Sequence, residues 1–271
     1  MLKDITLGQY FPGKSFIHKL DPRTKILCAI VYIAVIFCIK SFLGYFVLFA
    51  FTALIVALSK IPVRFVLKGL KPIMMFVAIT ALFNLLLTDG RILWKWGFLK
   101  ITYEGLTQAV YMVLRLFFLV FGTSILTLTT SPIALTDGIE RLLSPLKKIG
   151  VPAHEFAMMM TIALRFVPTL LEETDKIIKA QTARGADFES GNIINRAKAM
   201  VPILIPLFIS AFRRADDLAT AMECRCYRGG ENRTRLRELK LGYRDGVCWF
   251  VVLIFSALIL LANYFQVSGL L

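Results

Sequence analysis

The chain has 271 residues, 57% of them hydrophobic and 18% charged, with a mean hydropathy of +0.70 and a formal net charge of +14. A soluble domain of this length carries nearer a quarter charged residues, and the excess here lies in long apolar runs, so the composition excludes a soluble protein. The basic residues flank those runs and form no stripe interleaved with exposed aromatics. That points away from nucleic acid and towards a lipid bilayer, with the basic loops kept on the cytoplasmic side.

The segment Met1 to Lys25 is polar and broken by Pro12, Gly13 and Pro22, so no cleavable signal is expected there. Five runs are long and apolar enough to cross a bilayer, for which about 20 residues suffice. They extend from Thr24 to Ile39, Ser41 to Ser59, Leu70 to Thr88, Gly105 to Thr130 and Gly246 to Phe265. Lys40 and Ser41 must then close a very tight hairpin. Lys14, Lys19, Arg23 and Lys25 lie before or at the start of the first run, and Lys60, Arg64, Lys68 and Lys71 lie between the second run and the first residues of the third. Both clusters are expected in the cytoplasm. The loop Asp89 to Glu104 then lies outside, and its Trp94, Trp96, Phe98 and Tyr103 suit a short segment resting at the membrane–water interface.

The pattern predicts an all-α, polytopic membrane protein in the cell membrane. Residues 1–130 form a four-span membrane region, residues 131–245 a helical cytoplasmic region, and residues 246–271 a last span with an external C-terminus. In the cytoplasmic region, a helix is expected from Pro132 to Ile149, capped by Ser131. A second runs from Pro152 to Arg184. It carries Phe156, Met160, Ala163, Val167, Leu170 and Ile177 on one face, and Gly185 suits its stop. Pro168 is expected to kink or break it. Ser190-Gly191-Asn192 reads as a turn, and a third helix reaches Arg225. Within it, Met200 to Phe212 is apolar but short and holds Pro202 and Pro206. It reads as a buried or interface-lying helix rather than a sixth span.

One pattern occurs twice. Aligning Arg184 on Arg225 brings Asp175 onto Asp216 and Ala180 onto Ala221, so Asp-x4-Ala-x3-Arg ends two helices. An arginine fixed at a helix end presents a planar fork of donors suited to a carboxylate on another protein. Two such ends suggest two docking points, formed by Ala183, Arg184 and Gly185 and by Cys224, Arg225 and Cys226.

Enzymatic chemistry finds little support. His18 and His154 have no metal-ligand neighbours, and Cys224-Arg225-Cys226 lacks a second cysteine pair. Asp216-Asp217 is flanked by Arg213 and Arg214 and reads as a local salt-bridge cluster. No phosphate-binding Gly-x4-Gly-Lys-Ser/Thr loop is present. Arg115, inside the fourth span, reads as a residue facing the bundle or snorkelling. The five cysteines show no paired framework and are expected as reduced thiols.

Several segments in order resemble the transmembrane T component of energy-coupling factor transporters. They are Asp21-Pro22-Arg23-Thr24-Lys25, Thr129-Thr130-Ser131-Pro132, Leu142-Leu143-Ser144-Pro145-Leu146, Ala163-Leu164-Arg165-Phe166-Val167-Pro168, Ala180 to Gly185, and Ala221-Met222-Glu223 ahead of Arg225 and Tyr227-Arg228-Gly229. The resemblance implies a non-catalytic subunit that joins two cytoplasmic ABC ATPases to a small substrate-capturing membrane protein, the S component, for uptake of a vitamin or metal ion. It implies that Arg184 and Arg225 each enter a groove on one ATPase. ATP and magnesium are used by those partners, with no cofactor bound to this chain. Methionine-rich adaptable faces at Met158, Met159 and Met160, together with Pro202, Pro206 and Phe208, are assigned to S-component contact. One departure is Cys226, where that family commonly has glycine after the arginine. A stand-alone secondary carrier and a membrane-embedded transferase are the alternatives.

The orientation has a direct test. Single cysteines near Lys19 and Arg196 should be labelled from the cytoplasm, and those near Trp96 and Ser268 from outside. Cytoplasmic labelling of Ser268 would revive a sixth span at Met200 to Phe212.

Overall fold

Backbone polar groups in hydrocarbon find no water, so long apolar runs satisfy them within helices. The computed structural model describes residues 10–96, 99–186, 188, 192–230 and 239–267. In chain order, α1 covers Pro22–Cys38, α2 Phe42–Ser59 and α3 Val63–Leu87, followed by strands β1, Ile92–Trp96, and β2, Leu99–Thr102. Then come α4, Tyr103–Thr129, α5, Pro132–Leu143, a 3-10 turn at Ser144–Ile149, α6, Ala153–Ala183, α7, Ile193–Cys224, and α8, Tyr243–Val267. Phe98, Ser190 and Gly191 lie outside the described residues.

Among the described residues, 4 helices are long and apolar enough to cross a membrane: α2, the Gly69–Leu87 part of α3, α4 and α8. The fifth expected span is α1, which has 17 residues and so stands at the short limit for crossing. The protein is therefore a polytopic helical membrane protein. The interfacial segment expected after α3 is an antiparallel hairpin, with Lys95 opposite Lys100 and Trp96 opposite Leu99. The expected helix Pro132 to Ile149 stops at Leu143. Pro145 has no N–H to continue the ladder, the chain tightens into the 3-10 turn, and Gly150 at φ 89° ends it.

The chain divides into two compact units, a membrane unit of Gly8–Ile139 and Glu238–Leu271 and a second unit built on Glu140–Arg237. In the membrane unit, α1 packs on α4 and α8, α2 packs on the same two helices, and α3 runs along α4. Tyr32, Ile36, Leu48, Phe118, Phe255 and Ile259 form the heart of its core, with the Phe51 and Phe255 rings stacked at 3.9 Å. The hydroxyl of Tyr32 donates to the Phe118 carbonyl at 3.1 Å, and its ring lies where a Cβ on Gly122 would stand. The outward faces carry Phe42, Phe46, Phe49, Met74, Phe76 and Phe83, all exposed in the chain, as lipid-facing surfaces should be. Arg115 of α4 places its guanidinium 5.8 Å above the Phe37 ring.

The start of α1 is tied down by polar contacts. Asp21 caps the helix by accepting from the Arg23 amide at 2.9 Å, and Arg23 also grips both Asp21 oxygens, at 3.1 and 2.9 Å. Burial alone would raise the pKa of Asp21. The hydrogen bonds and charge of Arg23 outweigh it and hold that carboxyl below its ordinary value. The carboxylate of Asp245, at the start of α8, accepts from the Asp21 amide at 2.9 Å and from the Gly242 amide at 2.8 Å.

Packing at Gly122 gives a prediction. Gly122→Val should cost about 1–3 kcal/mol through overpacking against Tyr32. Gly246→Ala, at a site with nothing within 4 Å, should be neutral or slightly stabilising. Thermal unfolding in detergent separates the two, and equal shifts would mean that Tyr32 has room to move.

Candidate functional site

The second unit is organised around α6 and α7. Arg214 of α7 donates to Glu173 of α6 at 2.7 Å, and Gln181 Nε2 of α6 donates to the Pro202 carbonyl of α7 at 3.4 Å. Contacts advance along α6 as they retreat along α7, so the helices run antiparallel. The Gln181 bond has a specific cause. Pro206 has no N–H, so the Pro202 carbonyl lacks its helical donor four residues on, and the amide of Gln181 replaces it. Both helices continue through their prolines, Pro168 in α6 and Pro202 and Pro206 in α7, where a kink or break was expected of Pro168. The Ser210 hydroxyl, together with the Arg214 charge and hydrogen bond, holds the Glu173 carboxyl below its ordinary value. The local salt bridges expected around Asp216-Asp217 are replaced by this bond between helices, because Arg214 faces α6 while Asp216 and Asp217 are exposed.

The two arginine motifs end these helices in the same way. Arg184 is the C-cap of α6 at φ −88°, ψ 7°, and Arg225 the C-cap of α7 at φ −91°, ψ 12°. After Arg184, the Gly185 amide donates to the Thr182 carbonyl at 2.9 Å and the Ala186 amide to the Gln181 carbonyl at 3.0 Å. After Arg225, the Cys226 amide donates to Glu223 at 2.8 Å and the Tyr227 amide to Met222 at 3.0 Å. Both pairs are the two bonds of a Schellman turn. Its left-handed position is Gly185 at φ 87° in one and Cys226 at φ 56° in the other. The missing glycine therefore leaves the turn intact. A non-glycine residue there costs roughly 1–2 kcal/mol.

Ala183, Arg184, Gly185, Cys224, Arg225 and Cys226 are all exposed. Among the described residues, neither guanidinium of this pair has a hydrogen-bond or ion-pair partner. Gln181 lies opposite Pro202, which is 23 residues before Arg225, so the two turns stand about 35 Å apart along the helix pair. Each fork can donate to a carboxylate or another planar anion.

The apolar residues expected to share a partner surface lie on two stretches. Met159 is 57% and Met160 40% exposed near the start of α6, and Phe208 is 61% exposed on α7; Met158 and Pro206 are half-buried and Pro202 is exposed. Measured from the Glu173–Arg214 bond, Met160 and Phe208 lie on opposite sides, roughly 30 Å apart. The α7 stretch from Met200 to Phe212 is not buried within the chain. Met200, Val201, Leu204, Ile205, Phe208, Ile209 and Phe212 are exposed, and Ile203 alone is buried. Near the start of α6, His154 Nδ1 meets Glu140 at 2.9 Å, a link that no motif signalled.

This architecture is that of an α-helical integral membrane protein carrying a matched pair of exposed arginine turns. Residues 13–236 match the family described as "Cobalt transport protein", CbiQ, and the chain belongs to that family of membrane transporter components. It is similar to proteins named "Energy-coupling factor transporter transmembrane protein EcfT". The Ruminiclostridium cellulolyticum protein is 58% identical over 97% of this chain and 99% of its own length. That of Clostridium kluyveri is 60% identical over 97% and 98%, and that of Bacillus subtilis 47% identical over 96% and 98%.

The unequal turns make a test. Gly185→Ala should cost about 1–2 kcal/mol, whereas Cys226→Gly should be neutral or stabilising, since it relieves the left-handed position. Hydrogen exchange at the Ala186 and Tyr227 amides reports each turn. Slower exchange after Gly185→Ala would mean the α6 turn is not the one described.

Proposed function

We propose that this chain is the transmembrane coupling subunit of an energy-coupling factor importer, non-catalytic itself and driven by two cytoplasmic ABC ATPases. The observation that carries this reading is the pair of matching helix ends, each offering an exposed arginine with no ion-pair partner among the described residues, about 35 Å from the other along the helix pair. Two equal sockets on two copies of one partner fit that duplication. The names of the relatives supply the transporter class. On this reading ATP and magnesium stay with the ATPases, and the second unit and the N-terminus lie in the cytoplasm.

The exposed apolar side chains of α7, Met200 to Phe212, with Met158 to Met160 of α6, receive the substrate-binding S component. A vitamin or a metal ion is the class of cargo. Closure of the ATPases on nucleotide moves the arginine-ended helices, and differential contact in the two nucleotide states supplies the driving free energy.

Each arginine is expected to pair with a carboxylate in an ATPase groove. Removing one partner of a desolvated charged pair costs about 2–5 kcal/mol, largely because the other charge is left unpaired. Arg184→Ala or Arg225→Ala should weaken assembly or uncouple hydrolysis from uptake, and the double change should do more. Lysine should rescue poorly, since it keeps the charge and loses the fork, while Arg165→Ala, on an exposed side of α6, is the control. Normal assembly and ATP-driven uptake by the double alanine variant would sink the docking assignment. Uptake by the chain without ATPases would favour a carrier.

A further inference from the structure

The chain passes from the membrane unit to the second unit after Ile139 and returns at residue 238. Both passages are gripped by one five-residue turn. On the outgoing side, Lys25 Nζ donates to the carbonyl of Thr129, the last residue of α4, at 3.0 Å, and to the His18 carbonyl at 3.3 Å. The same turn supports α5, where Gly138 brings the backbone so close to Pro22 that an added Cβ would stand 3.0 Å from the Pro22 ring. On the returning side, Arg23 donates to the Leu239 carbonyl at 3.0 Å. Asp245 then bonds both the Asp21 amide and the Gly242 amide. Lys25, Asp21 and Asp245 are 8%, 7% and 5% exposed, so these polar groups are buried and matched to one another.

Packing alone does not call for this. Buried charges are costly unless paired, and a neutral Ser or Thr would cap α1 with less desolvation. The arrangement is specific to the two strands that lead to and from the second unit.

We propose that Asp21, Arg23 and Lys25, with Asp245, form the joint through which displacement of the second unit is delivered to the membrane helices. They are positioning residues, and the proposal rests on the coupling function argued above. A load on the outgoing strand reaches α1 and α4 through Lys25, and a load on the returning strand reaches α1 and α8 through Arg23 and Asp245. Without these bonds both strands act as slack tethers. The second unit then moves while the membrane helices do not follow.

Arg23→Gln and Lys25→Met, singly and together, test the joint in the full transporter reconstituted in vesicles, with Lys14→Met as an exposed charge-loss control. The complex should assemble as the unaltered chain does and keep its ATP hydrolysis. Substrate moved per ATP should fall by about fivefold or more, further in the double variant. Unchanged transport per ATP in the double variant would overturn the proposal. So would a parallel loss of membrane abundance, hydrolysis and uptake, because the bonds would then serve folding alone. A second measurement needs no ATPase. In the isolated chain, hydrogen exchange should accelerate around residues 239–245 in Arg23→Gln and around 129–135 in Lys25→Met. If neither segment responds, the grips are absent whatever Arg184 and Arg225 do. If they respond while the alanine variants of those arginines assemble normally, the docking assignment fails and the joint stands.

Discussion

A buried carboxylate with both oxygens taken organises the base of the membrane unit. Asp245 holds the Asp21 amide with one oxygen and the Gly242 amide with the other, and so joins residues 224 apart in sequence. A carboxylate out of water is tolerated only when it is bonded and near opposite charge, which Arg23 and Lys25 provide. Capping of α1, support of the α4 end and entry of α8 all converge there. Hydrocarbon-facing helices can pack in many rotations about their axes, because lipid tails are as apolar as leucine. A polar cluster at their ends selects one.

The second unit solves a different problem. Prolines in α6 and α7 leave carbonyls without helical donors, and at Pro202 the chain recruits Gln181 from the neighbouring helix. Glu173 and Arg214 add a bond between positions that are each eleven residues before their arginine. The helix pair is thus tied at points that leave both C-terminal turns clear and exposed. The contacts lie along the length of the pair, and the chemistry at its two ends stays open.

Much of this was legible in the sequence. The apolar runs marked the spans, and the repeated spacing picked out Arg184 and Arg225 as helix ends, because capping is local and depends on a few neighbouring residues. The Ser131 cap was also legible, as its hydroxyl accepts from the Ala134 amide at 3.3 Å. What failed was long-range or competitive. Sequence proximity groups Arg214 with Asp216 and Asp217, but its position on the helix turns it to Glu173. Asp245 sat in plain view at the start of the last helix, yet nothing local reveals that its partner is Asp21. The stop at Leu143 was signalled by Pro145 and was outweighed by the apolar pattern running past it. The hairpin after α3 leaves little trace in the sequence, because its strands have only 5 and 4 residues, too few for an alternating pattern to stand out.

The two arginine turns share a backbone, but they do not share a chemistry. Around Arg184 the neighbours are Ala183 and Gly185, which are inert, while around Arg225 they are Cys224 and Cys226, both exposed free thiols. A near-symmetric pair therefore carries a built-in handedness. A thiol reagent that reaches this unit meets one turn and leaves the other untouched, so oxidation or alkylation would alter the two helix ends unequally.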